Sequence, residues 1–229
     1  MEKTFGGFAG TAPLRKCRLL TLLPFVTFIS CIGVKADISL KADGSGRLAL
    51  EYRVSGMAES LGRLDGNQRW QTVPVGRADF ERTLARLPRL RLSSFSSSKD
   101  GKDVINKAVL EFKEIEDLLA FFDPQGQGKY ASFTRENGKK RLSLVFSEGG
   151  EADADLLSLV REVSEGYAFS FSMGLPESAE LALTDGKGKK ITPQPSSATV
   201  VSPGKKVSFS IGTGDLLSLK EGLGIELCW

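Results

Sequence analysis

Histidine is absent from all 229 residues. Without an imidazole the Ser-His-Asp and Cys-His catalytic groupings cannot be assembled, and most zinc sites lose a ligand. Cysteine is scarce, with only Cys17, Cys31 and Cys228, too few for the disulfide framework on which small secreted domains rely. The apolar run Leu19 to Ile29 (LLTLLPFVTFI) is interrupted by Pro24. It is far short of the ~20 residues needed to cross a bilayer as a helix. The charge surplus is also thin. Of the net +3, the first 30 residues supply all, through Lys3, Arg15, Lys16 and Arg18 against Glu2. The remainder is neutral, which disfavours a nucleic-acid binder, because such proteins carry a basic surplus.

What is present begins with that short run. A basic stub, an apolar stretch and the small residue Ser30 before Cys31 form a secretory signal peptide over residues 1–30. The tetrapeptide Phe28-Ile29-Ser30-Cys31 resembles the lipobox of bacterial lipoproteins, in the relaxed form seen in spirochaetes. That resemblance implies a diacylglycerol group on the Cys31 sulfur and cleavage that leaves Cys31 as an acylated N-terminus. Two or three acyl chains anchor a protein firmly where one holds it only marginally. Two alternatives stand beside it. Val34-Lys35-Ala36 has the small-x-small look of an ordinary cleavage site, and Leu19 to Val34 could remain as a short uncleaved anchor.

Removing 30 residues leaves enough chain for one sizeable core or two small ones. Val34, Ala36, Ile38, Leu40 and Ala42 alternate with polar residues, as do Leu48, Leu50, Tyr52 and Val54 after the turn Asp43-Gly44-Ser45-Gly46. Together they predict a β-hairpin. Residues 56–76 are weakly patterned, with a short helix expected over Ala58 to Leu64 and a loop around Trp70. Three amphipathic helices are expected next, on the stripes Phe80/Leu84/Leu87, Ile115/Leu118/Leu119/Phe122 and Leu156/Leu159/Val160/Val163. Pro88, Pro124 and Gly166 mark their ends. Between them lie strand pairs: Leu90 to Ser96 with Ala108 to Phe112, and Tyr130 to Thr134 with Leu142 to Phe146 around the hairpin signal Asn137-Gly138. The last third reads as all strand, over Tyr167 to Met173, Ala179 to Leu183, Val207 to Ile211 and Leu223 to Trp229. The expected fold is therefore α+β. A mainly antiparallel sheet is built from hairpins, with three or four short amphipathic helices on one face. Residues 31–165 are expected to form an α+β domain, and residues 166–229 an all-β part packed on it, which either completes the same sheet or forms a small sandwich-like subdomain.

Both ends of this mature chain resemble the LppM-like lipoprotein domain. At the start stand the lipobox cysteine and the hairpin from Asp37 to Tyr52. At the end, a strand reaches Met173-Gly174-Leu175-Pro176, a turn follows at Asp185-Gly186-Lys187-Gly188, and the chain closes on a Trp-containing strand. The resemblance implies an envelope-anchored α+β domain that binds apolar envelope molecules or serves envelope homeostasis. It supplies no catalytic motif.

Motifs that suggest chemistry weaken on inspection. Ser96-Ser97-Ser98-Lys99 has the S-x-x-K spacing of penicillin-recognising enzymes but lacks their partner motifs. Gly126-Gln127-Gly128-Lys129 lacks the first glycine and the Ser/Thr of a phosphate loop. The acidic run Glu148 to Asp155 suits the start of a helix better than a calcium loop. Charge is uneven: residues 77–113 hold nine Lys/Arg against five Asp/Glu, and residues 114–165 hold six against eleven. Arg82, Arg86, Arg89 and Arg91 are candidates for contact with anionic headgroups, although as residues flanking an apolar stripe they are better explained as the solvated side of a helix and strand.

The expectation is a non-enzymatic lipoprotein of the bacterial cell envelope, anchored to membrane lipid at Cys31. It binds an apolar, lipid-like ligand or an envelope protein, and it needs no cofactor, metal or nucleic acid. The alternatives are a carboxylate-dependent hydrolase acting on envelope glycans, which requires two carboxylates roughly 5–9 Å apart, and a purely structural or assembly module. Because only Ile32 to Lys35 separate Cys31 from the alternating strand, the domain is expected to ride directly on the headgroups.

Overall fold

A computed structural model describes residues 32–56, 76–150 and 153–229. The leader, Cys31, the helix expected over Ala58 to Leu64 and the loop around Trp70 lie outside the described residues. The first strand, β1 (Ile32–Leu40), pairs antiparallel with β2 (Gly46–Ser55) from Ile32↔Val54 to Leu40↔Gly46. The alternation seen in the sequence is the pleat itself: Ala36, Ile38, Leu48, Leu50 and Tyr52 face the core. Asp43 Oδ1 accepts from Ser45 N–H at 3.0 Å and fixes the turn between them.

The chain then forms α1 (Arg77–Leu84), β3 (Arg91–Asp100), β4 (Asp103–Phe112) and α2 (Ile115–Phe122). Next come β5 (Ala131–Glu136), β6 (Lys139–Ser147) and α3 (Ala154–Val163). The last part holds β7 (Ala168–Thr184), β8 (Ala198–Val201), β9 (Gly204–Gly212), α4 (Thr213–Ser218) and β10 (Leu223–Cys228). The ten strands form one sheet ordered β3-β4-β2-β1-β7-β10-β6-β5, with β9 paired to β7 and β8 to β9.

The α+β class is as expected, but the sheet is mixed. β1 runs parallel to β7, from Val34↔Phe169 to Ser39↔Gly174. Hairpin signals report only strands adjacent in sequence, so a pairing across more than 130 positions leaves no local trace. The last third is not all strand either, because it holds α4. Six residues are too few to show a helical period. The strand pair expected over Leu90–Ser96 and Ala108–Phe112 is longer than its alternation, since β3 and β4 run on to a tight turn at Gly101-Lys102. The Asn137-Gly138 hairpin forms as expected, with φ of 52° and 76° at its two turn residues.

β7 is the strand on which the sheet curls. Its first half lies between β1 and β9, and its second half pairs with β10 from Glu180 to Thr184. Pro176 sits after the last β1 pairing at Gly174 and before the first β10 pairing, where its missing N–H costs no ladder bond. The curl brings β6 onto the other half of the sheet. The Phe146 ring lies 4.7 Å from Phe169, 5.8 Å from Phe171 and 5.5 Å from Phe209, centroid to centroid. These rings, with Met173, Val207, Leu144 and Ile225, belong to a single core.

The helices pack where their stripes direct them. Phe80 of α1 is buried against Tyr52 and Phe95. Ile115 and Leu118 of α2 are buried beside β4 and β5. α3 packs on α4, which lies against β7 and β9. Its stripe is only part-covered: Val160 is buried, whereas Leu159 is 43% exposed. No helix among the described residues is long and apolar enough to cross a membrane.

Candidate functional site at the start of the first strand

β1 is hydrogen-bonded into the sheet from Ile32, the residue next to Cys31. The residues around that end of β1 form the candidate site. Gly33 lies between two side chains there. A Cβ built on it would meet Arg53 Cβ and Tyr167 Cδ1, each at 3.6 Å.

Arg53 projects from the exposed side of β2. Its Nε donates to Asp103 Oδ2 at 2.6 Å, and its Nη2 donates to Asp100 Oδ2 at 2.8 Å. Tyr167, just before β7, donates its hydroxyl to Asp103 Oδ1 at 2.9 Å. Asp103 is 6% exposed. The network ties β2, the β3–β4 turn and the entry to β7 around the first residues of β1. Burial pushes the Asp103 pKa up, but the hydrogen bonds from Arg53 and Tyr167 and the guanidinium charge outweigh it, and the carboxyl is held below its ordinary value. Both its oxygens are engaged by donors. Asp103 is thus a fixed anion that braces the sheet, and it is ill-suited to act as the general acid a glycan hydrolase would need.

This arrangement predicts a pH signature. A carboxyl with a depressed folded pKa contributes its stability above the unfolded value, near pH 4, and loses it as pH falls through the folded value. Asp103→Asn is expected to cost about 1–3 kcal/mol at neutral pH, the penalty for leaving buried donors imperfectly matched. The gap to wild type should shrink in acid. Urea unfolding at a series of pH values checks this, and a gap that is constant down to acid would contradict it.

The other sequence candidates do not converge. Ser96 to Lys99 lie in exposed edge strand β3, not at a helix start. Gly126 and Gly128 adopt φ of 64° and 69° in the connection from α2 to β5. Asp153 is the N-cap of α3 and accepts from Asp155 N–H at 2.9 Å, the capping use of that acidic run. Among the described residues, no three Asp, Glu or Cys side chains form a metal-ligating group. Cys31 lies outside the described residues, and Cys228 carries a free thiol. Arg82 pairs with Asp79 and Arg91 with Glu111, while Arg89 lies 3.7 Å from Asp117. Sequence reasoning missed the Arg53–Asp103–Tyr167 network, whose members are up to 114 positions apart and share no spacing motif.

No family model matches the chain, and no curated protein matches it. Among solved structures it is similar to the NMR structure of the folded domain of Mycobacterium tuberculosis LppM. The identity is 14% and the TM-score 0.42, over 86% of this chain and 88% of that one. This is the kind of domain that the two ends of the sequence resemble.

Proposed function

We propose that the protein is a lipoprotein of the bacterial cell envelope, anchored through acylated Cys31. It acts without catalysis and binds a lipid-like ligand or an envelope protein at the membrane surface. The observation that carries this reading is the position of β1. Its ladder begins at Ile32, directly after the lipobox-like Ser30-Cys31, so cleavage before Cys31 leaves the whole strand. Cleavage after Ala36 would remove Ile32 to Ala36, which pair with Val54 to Leu50 in a strand enclosed on both sides by β2 and β7. Ala36 itself is buried.

The apolar-ligand part is supported by Phe146 and Phe169, which meet between the two halves of the curled sheet and stay only partly buried. The anchor is tested by Cys31→Ala. The variant should leave the detergent-rich phase for the aqueous phase and lose acyl labelling. An unchanged partition would defeat the proposal.

A further inference from the structure

We infer that the anchored domain stands on the bilayer on the end that holds the β3–β4 turn, with Lys99 and Lys102 against anionic lipid headgroups. This deepens the proposed function and rests on its lipid anchor. The ladder places Ile32 opposite Val54, Val54 opposite Val104, and Val104 opposite Lys99. These four residues form one row across β1, β2, β4 and β3. At about 4.8 Å between strands, Lys99 lies about 14 Å to the side of Ile32 and level with it. The Gly101-Lys102 turn extends past that row, on the side towards which the chain leads back to Cys31. Gly56 N–H donates to Lys102 O at 2.7 Å, and Arg53 holds Asp100 and Asp103, so the turn is fixed to its neighbours.

Charge selects this side. Lys99 and Lys102 are exposed, and neither forms an ion pair among the described residues. Arg53 bridges the Asp100 and Asp103 carboxylates beside them, so with Lys99 and Lys102 the turn and Arg53 hold three positive charges against two negative, a net +1. Across the same end, α3 runs out at Val163 just before β7, bringing exposed Glu162 and Glu165, while Arg161 faces Asp215. Anionic headgroups attract basic groups within a Debye length of about 8–10 Å and repel acidic ones. An anchor at residue 31 with no intervening tether keeps the turn inside that range. Arg91, by contrast, starts β3 at its other end, eight positions or about 26 Å from Lys99.

The test uses acylated protein extracted from membranes and confirmed by mass. It is reconstituted into vesicles of phosphatidylcholine and phosphatidylglycerol that contain a headgroup-nitroxide lipid. In a Cys228→Ser background, one fluorophore is placed at Ser98→Cys, beside the lysines, or at Ala42→Cys, in the turn at the far end of β1. Quenching should be severalfold stronger at position 98 than at 42. That contrast should diminish in Lys99→Glu/Lys102→Glu protein that melts as its parent does. Equal quenching at the two positions overturns the stance. A contrast untouched by the double charge reversal overturns the role of the lysines. Protein without acyl mass overturns the anchor, and this inference with it, and is distinguished from the other outcomes by the mass alone.

Discussion

Removing residues 223–229 is expected to leave a protein that does not fold. β10 is an interior strand, paired with β7 on one side and β6 on the other. Leu223, Ile225 and Leu227 are each no more than 1% exposed. Burial of each contributes about 1.5–3 kcal/mol, against a net domain stability of about 5–15 kcal/mol. Deletion also frees the ladder edges of β6 and β7 and removes the Trp229 ring that stacks on Phe133 at 5.8 Å. Loss of the cooperative thermal transition, followed by circular dichroism, is the expected result. A truncated protein that melts at the wild-type temperature would contradict the topology. Cys228 points away from the buried face and is partly exposed, so Cys228→Ser should leave the melting temperature nearly unchanged.

Phe171→Ala is expected to be the most damaging single substitution in the aromatic cluster, at about 3–5 kcal/mol. The ring is 1% exposed and contacts both Phe146, across the curl, and Phe209, across the β7–β9 ladder. Its loss opens a cavity where the two halves of the sheet meet, a place that cannot collapse without uncurling β7. Denaturant unfolding measures the cost. A loss below about 1 kcal/mol, typical of a surface substitution, would show that the halves of the sheet do not depend on this contact.

The parts of the fold that were legible in the sequence are those whose two faces differ. β1 and β2 announce themselves because Ala36, Ile38, Leu48 and Leu50 alternate with Lys35, Asp37, Arg47 and Ala49. The stripe of α2 is legible because Ile115 and Leu118 are buried. β3 was only half legible: beyond Phe95 it is Ser96-Ser97-Ser98-Lys99-Asp100, exposed at the sheet edge, with no buried face to impose a period. β7 reads as two strands because Pro176 and exposed Glu177 and Ser178 interrupt a backbone that continues through them. The parallel pairing of β1 with β7 is set by which apolar faces meet in the core, and no window of sequence contains both. The same reason hid the candidate site. Arg53, Asp103 and Tyr167 are ordinary residues at the ends of three strands, and only the sheet order brings them together around Gly33.

Everything proposed about where the protein works turns on residue 31, one position before the first ladder pair. The intact mass of the protein extracted from the cell membrane tests that most directly. The account predicts a chain of residues 31–229 carrying the added mass of a diacylglycerol group, usually with a further acyl chain on the amine. A mature chain beginning at Asp37, or an unmodified Cys31, would contradict it.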